Sequence, residues 1–262
     1  MKKKLIFALA LMMALALSIC AMADEKVNVF ALKGPTGIGL TGVMENTDDY
    51  NFTLAGAADE IVAAIASGSA DIAACPTNLA ATLYKKTNGN VQLMALNTLG
   101  VLHVVSNDPS IDSFDDLAGR KLYATGQATV PEYALRYILE QNGLADKVEV
   151  EFVAEHSELA TLMAAGKVDL GMLPEPHVTS VLMQNKDMQT VIDVTEAFES
   201  AAAKAGNDDM VLSMGCVIVR RAFAQEHPEK VAAFLDAYKT SVDMVNADPA
   251  AAGELVQKHG VM

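Results

Sequence analysis

Tryptophan is absent from this chain of 262 residues, and aromatic residues make up only 5% of it. Without an indole, the commonest flat wall for stacking a sugar or a large aromatic ring is missing. Basic residues are scarce: 19 Lys and Arg stand against 33 Asp and Glu, a formal charge of −14. A field of that sign repels nucleic acid and acidic membrane surfaces, so neither is expected as a partner. The five histidines, at 103, 156, 177, 227 and 259, are scattered. No pair of them has metal-ligand spacing and Cys does not cluster with His, so neither a metal nor a cofactor is expected. No Gly-rich phosphate loop or dinucleotide fingerprint occurs. The runs "SMGC" and "SGSA" lack the pattern and the strand-to-helix setting of a nucleophile elbow.

Long apolar runs are also lacking, with one exception from Leu5 to Leu17. Lys2, Lys3 and Lys4 precede it, and the small-residue site Ala21-Met22-Ala23 follows. This is the tripartite pattern of a secretory signal peptide over residues 1–23. The run is too short for a membrane anchor, and polar Asp24-Glu25-Lys26 follow at once. Cys20 offers an alternative, a lipoprotein site, although Ile19 stands beside the bond to be cut, where a small residue is usual. Cleavage after Ala23 leaves 239 residues with 16 basic against 33 acidic side chains, a balance of −17. That suits a soluble exported protein, periplasmic or on the extracellular face. Cys75 and Cys216 remain after cleavage. They could pair in an oxidising compartment, but neither sits in a Cys-dense, loop-rich context, and two buried free thiols is the simpler reading.

What is present is an alternation of strand and helix patterns. Val27 to Leu32 alternates and is β-rich; Lys33-Gly34-Pro35-Thr36-Gly37 is a turn, and a small-residue helix is expected to follow toward Met44. Asn51–Leu54 reads as a strand, Asp59–Ser67 as a helix ended by Gly68, and Asp71–Cys75 as a buried strand stopped by Pro76. A helix over Asn78–Lys86 and strands at Val91–Leu96 and Val101–Val105 follow. The second half repeats the theme. Lys121–Ala124 is a strand, Thr125-Gly126-Gln127-Ala128 a turn, and Thr129-Val130-Pro131-Glu132 fits a capping box with Pro in the first turn. Val148–Val153, Ser157–Ala165 and Val168–Leu173 then read as strand, helix and strand. Residues 56–76 laid on 154–174 match Glu60 with Glu158, Gly68 with Gly166, Asp71 with Asp169 and Pro76 with Pro174. Two similar α/β lobes explain this better than chance does.

Alternating strands and helices imply mainly parallel sheets, whose ligands bind beyond the carboxyl ends of the strands. Four segments sit at such ends: 33–37, 76–78, 125–129 and 173–176. If the lobes face each other, all four line one cleft. The candidate ligand-binding residues are therefore Lys33, Gly34, Thr36, Gly37, Pro76, Thr77, Asn78, Thr125, Gly126, Gln127, Thr129 and Glu175. The glycines allow close approach. Loops that precede helices favour an anion. Lys33 could pair with that anion, and Glu175 could accept from a ligand N–H. Each also has a plainer reading as a turn, cap or solvated residue; His177 could stack or hydrogen-bond in the cleft, but a surface loop histidine is the simpler reading.

The stretches "GSADIAACP", "SFDDLAGRKLYA", "VPEYALRYILEQNGL", "AAGKVDLGMLPEP" and "HPEKVAAFLDAY", in that order from about Val27 onward, resemble solute-binding proteins of ABC importers of the nitrate/taurine/alkanesulfonate type. The resemblance implies a type II periplasmic-binding-protein fold: two Rossmann-like α/β lobes with a ligand cleft between them. The chain would leave the first lobe near Val105–Asp108 and return near Leu212–Val219. Residues 24–107 with 213–262 would form one lobe and 108–212 the other. Family members usually continue past "LVQKHGVM", so the chain is expected to be a fragment whose missing tail packs on the first lobe. The implied function is capture of a small polar or anionic solute (sulfonate, nitrate, taurine or a pyrimidine precursor) and delivery to a membrane permease, as a monomer. The alternative is an enzyme on the same architecture, a pyrimidine-precursor synthase or a dehydratase, although the synthases carry a Cys-rich motif absent here.

Overall fold

The computed structural model describes residues 25–262; the leader assigned to residues 1–23 and the lipid site at Cys20 lie outside it. β1 (Val27–Leu32) pairs in parallel with β2 (Tyr50–Ala55) on one side and β3 (Ile72–Pro76) on the other. Between β1 and β2 the expected helix toward Met44 does not form. Only a single turn, α1 (Pro35–Ile38), and a 3-10 turn at Val43–Glu45 are present. Glycine causes this and is used for it. A Cβ at Gly39 would lie 2.8 Å from the Tyr238 hydroxyl, and one at Gly42 would lie 2.7 Å from Ser241 Oγ. The bare backbone instead bonds the serine: Ser241 Oγ donates to the Gly39 carbonyl at 2.7 Å and accepts from the Gly42 N–H at 2.9 Å.

α2 (Ala58–Ser67) stops at Gly68, whose φ of 79° suits glycine. α3 (Thr77–Lys86) follows β3 directly, and β4 (Val91–Leu99) completes the first series. The next strand, β5 (Leu102–Ser106), pairs antiparallel with β8 (Leu170–Pro174) and β9 (Gln189–Asp193). The chain therefore passes between sheets at Gly100–Val101, before β5 rather than near Val105–Asp108. Nothing in the composition of "LHVVS" marks which sheet it joins. After a 3-10 turn at Phe114–Leu117 come β6 (Lys121–Ala124), α4 (Val130–Gln141), β7 (Glu149–Phe152) and α5 (His156–Ala164). β8, α6 (His177–Gln184), β9 and α7 (Val194–Lys204) finish this half. β10 (Ser213–Arg220) returns to the first sheet between β3 and β4, followed by α8 (Arg221–Glu226), α9 (Pro228–Ala247) and α10 (Pro249–His259).

The two five-stranded sheets run β2-β1-β3-β10-β4 and β7-β6-β8-β5-β9. These are the same order with the same directions, one antiparallel strand in each. Both faces of each sheet are covered. Ile72, Ala74, Val217 and Val219 face one apolar cluster; Ala73, Cys75, Cys216 and Ile218 face another. Leu102, Val104, Leu122 and Met172 face one cluster of the second lobe, and Val105 and Leu173 the other. Strands buried on both sides read as unbroken apolar runs, as "IAAC" and "LGML" do. Phe234 is fully buried against Tyr50 and Tyr238, with ring centroids 5.8 and 5.9 Å away, worth about 2–3 kcal/mol in area alone. The sequence repeat occupies equivalent places: Gly68 and Gly166 both have positive φ, and β3 and β8 are both third in their sheets.

Asp71 in the first copy of the repeat anchors β10. It accepts from the Asn28 N–H and from Arg220 Nη2 at 2.7 Å, while Arg220 Nε donates to the Ala70 carbonyl at 2.8 Å. The Asp71 side chain is only 9% exposed. Replacing Arg220 by Met keeps the stem and strands the carboxylate. Urea denaturation should then show a loss of about 2–3 kcal/mol; a loss under about 0.5 kcal/mol would mark the pair as a solvated surface contact.

Candidate functional site

The carboxyl ends of β1 and β3 in one lobe face those of β6 and β8 in the other across a cleft of about 820 Å³. From the first lobe, Lys33, Gly34, Pro35, Thr36, Pro76 and Asn78 line it. From the second lobe come Gly126, Thr129, Val130, Pro131 and His156, with Pro174, Glu175, Pro176 and His177 beside them. Thr98, Val101 and Met214, which flank the two chain crossings, line it as well, and so do Gly260, Val261 and Met262. The lining is mostly apolar, and among the described residues its ionisable side chains are one lysine, one glutamate and two histidines.

Lys33 is exposed at the end of β1, its N–H tied to the Ala55 carbonyl at 3.0 Å. Gly34 takes φ 109°, and its N–H is already engaged by the Val261 carbonyl at 2.8 Å. Thr36 is buried, donating to the Leu32 carbonyl while Asn97 Nδ2 donates to its own carbonyl. Beneath it Gly215 leaves the space: a Cβ there would lie 2.6 Å from Thr36 Cγ2 and 2.7 Å from Thr98 Oγ1. Asn78 presents a buried amide oxygen that has no hydrogen-bond partner among the described residues.

On the other wall, Gly126 (φ 77°) stands where a Cβ would lie 2.8 Å from the Pro131 ring. The expected capping box at Thr129 is differently wired. Thr129 Oγ1 donates to the Gly126 carbonyl at 2.6 Å, and Glu132 Oε2 accepts from the Ala128 N–H at 2.6 Å. Glu132 is further paired with Arg136. Glu175 Oε2 accepts from the N–H and hydroxyl of Thr179, and its own N–H donates to the Val101 carbonyl. The Glu175–Pro176 peptide is cis.

Eight of the twelve candidates line the cleft: Lys33, Gly34, Thr36, Pro76, Asn78, Gly126, Thr129 and Glu175. Four stand elsewhere. Gly37 is packed under Val261, where a Cβ would lie 2.9 Å from its side chain. Thr77 shares a hydrogen bond with Ser213 behind the wall. Gln127 is exposed and faces a separate surface hollow with Leu135 and Phe152. Thr125 is buried, with its hydroxyl 2.6 Å from His156 Nδ1. The anion argument from helix ends also loses ground. α1 is a single turn, the Gly34 and Ala128 N–H groups are engaged, and Pro35 and Pro131 have none.

Sequence reading missed the imidazole pair. His156 begins α5 and His177 begins α6, and their ring centroids stand 5.5 Å apart on the second lobe's wall. Twenty-one residues of sequence separation hid them; the only available signal was that His156 stands just before the expected helix start at Ser157 and His177 four residues past the expected strand end at Leu173. Burial holds both imidazoles below the usual histidine range, and at His156 the neighbouring ring adds to this. Glu155 pulls His156 the other way, and Glu175 does so for His177. Among the described residues no group of three or more His, Cys, Asp or Glu could hold a metal ion, and no helix is long and apolar enough to cross a membrane.

Two lobes of matching strand order, each completed by an antiparallel strand and facing the other across a cleft, make this a two-lobe periplasmic-binding-protein fold. The chain belongs to the NMT1/THI5-like family, whose model matches residues 54–252. No curated protein sequence matches it. Among solved structures it is similar to an ABC transporter protein of Parabacteroides distasonis. That pair has 22% identity and a TM-score of 0.74, with 91% of this chain and 80% of that one covered. It is also similar to the periplasmic aliphatic sulphonate binding protein SsuA of Escherichia coli, with 12% identity, a TM-score of 0.69 and the same coverage. The alkanesulfonate-binding protein SsuA of Xanthomonas axonopodis pv. citri, bound to MOPS, gives 14% identity, a TM-score of 0.61 and coverage of 92% and 81%. At these identities the likeness speaks for the fold.

The buried imidazoles set a pH dependence. Their folded values lie below the unfolded one, so the unfolded chain binds protons more readily. Their contribution is complete above about pH 6.5 and is lost as pH falls through the folded values. Urea midpoints should fall between about pH 7 and pH 5, and less steeply in His156→Gln. Carboxylates such as Asp108, held down to about 2 by Ser110 and then Arg120, act in a lower window. An unchanged slope in the variant would refute the assignment.

Proposed function

We propose that this chain is the exported, monomeric solute-binding component of an ABC importer. It takes an organic solute with an apolar body and an anionic or polar head, and hands it to a membrane permease. One observation carries the reading: a large cleft receives strand ends from both lobes and has both chain crossings at its back. The neighbours described as sulfonate-binding proteins of ABC transporters support it.

Within the solute classes that the sequence leaves open, the cleft favours the bulkier ones. A volume of about 820 Å³ lies in the range of pockets for drug-sized ligands, and nitrate would leave it nearly empty. Leu32, Val130, Met214 and the prolines suit a hydrocarbon or ring, with Lys33 on one wall and the imidazoles on the other to meet the head group. A neutral imidazole carries one N–H and one acceptor nitrogen, and at His156 Nδ1 already meets the Thr125 hydroxyl, which leaves Nε2 for a head group. Closure about the crossings would bring the two walls together and exclude water.

Native mass spectrometry of protein purified without denaturation should reveal a retained small molecule. A thermal-shift panel should rank octanesulfonate and MOPS above nitrate. For a sulfonate that binds, Lys33→Ala should weaken affinity roughly tenfold or more, the scale of one charge-assisted hydrogen bond. Small-angle scattering should show compaction on binding. Tight binding without compaction would sink the receptor reading, and recovery of the bound compound chemically altered would replace it with the enzyme.

A further inference from the structure

Cys75 and Cys216 lie directly opposite each other in the register of the antiparallel pair β3–β10. Both are fully buried and both are free, and both side chains lie in the same apolar cluster on one face of the sheet. Facing residues on antiparallel strands have Cα atoms about 4.5–5.5 Å apart, within the ~4.4–6.8 Å span of disulfides. They are the only cysteines among the described residues. We infer that Cys75 and Cys216 are a disulfide-forming pair that, once oxidised, staples the returning strand β10 to β3.

The position gives the staple its consequence. β10 reaches β3 only after the whole second lobe, so the bond would close a loop of roughly 140 residues, and longer loops gain more from closure. Pro76 on β3, next to Cys75, and Met214 on β10, two residues before Cys216, line the cleft. The bond therefore fixes the floor of the first lobe's wall.

Both sulfurs are covered in the folded chain, so exchange takes place before β10 docks. The Cys216 thiolate attacks a low-molecular-mass disulfide such as oxidised glutathione and releases one thiolate, leaving a mixed disulfide. The Cys75 thiolate then displaces the second. One S–S bond is made and one broken, two protein thiols are oxidised, and their two protons end on the two released thiols.

The full chain, unfolded and refolded in oxidised glutathione or in dithiothreitol, tests this. After alkylation and trypsin digestion, the peptide 34–85 should be recovered joined to 205–220 only from the oxidised sample. The thermal midpoint of that sample should be higher by roughly 10 °C. The Cys216→Ser variant should lose both differences. Recovery of both peptides alkylated, or of either joined to Cys20, would overturn the pairing. A joined pair with an unshifted midpoint would overturn the stapling.

Discussion

The direction of two strands governs this molecule. β10 is antiparallel to β3 and β4 in one sheet, and β5 is antiparallel to β8 and β9 in the other. β4 therefore runs the same way as β3 and ends on the rim where β1 and β3 end. The chain can leave that rim at Leu99, cross Gly100–Val101 and enter the second sheet at Leu102 with no helix between. By the same geometry β10 must start at the rim, at Ser213. Both covalent joints between the lobes thus fall on the face that carries the strand carboxyl ends. A parallel strand in either position would have needed a crossover to the far edge, and the cleft would have lost its back wall.

That constraint dictates the character of the walls. Thr36, Asn97, Thr98 and Gly215 come from α1, β4 and β10, and they interlock behind the first wall through contacts that only a glycine at 215 permits. On the second wall, Thr125 orients His156, and Thr179 holds Glu175. Five prolines line the cleft and remove as many backbone donors. What is left to recognise a ligand is shape, a few side chains and the hydroxyl and imidazole groups, on a scaffold with little backbone freedom.

Much of this was legible in the sequence. Gly68 and Gly166, each followed by Asp and then Pro, announced two copies of one unit, and the copies do occupy equivalent strands. Eight of the candidate residues fall on the cleft wall because they lie just past the ends of strands, a local property. What failed was non-local. β5 reads like any short buried strand, and only its partners reveal its sheet. The glycines at 39 and 42 looked like part of a small-residue helix and Gly37 like part of a turn at the site, but together they seat Tyr238, Ser241 and Val261, about two hundred residues away. His156 and His177 meet only because α5 and α6 pack together against the same sheet.

The excess of acidic over basic residues, with a formal charge of −14, opposes the approach of the proposed anionic solute only as far as its field reaches. At physiological ionic strength, exposed charges beyond about 8 Å are largely screened. Most of the carboxylates are spread over the surface, whereas Lys33 and the imidazoles sit on the cleft wall itself. Among the described residues Glu175 is the one acidic side chain lining the cleft, and one of its oxygens is already occupied by Thr179. Net charge therefore acts mainly on the rate of approach, and at low salt. Affinity for the proposed solute would be set by what touches it, with a lysine on one wall of the cleft and two imidazoles on the other. A cleft of this kind gains its full electrostatic complement only when closed, which links recognition of the head group to the motion of the lobes.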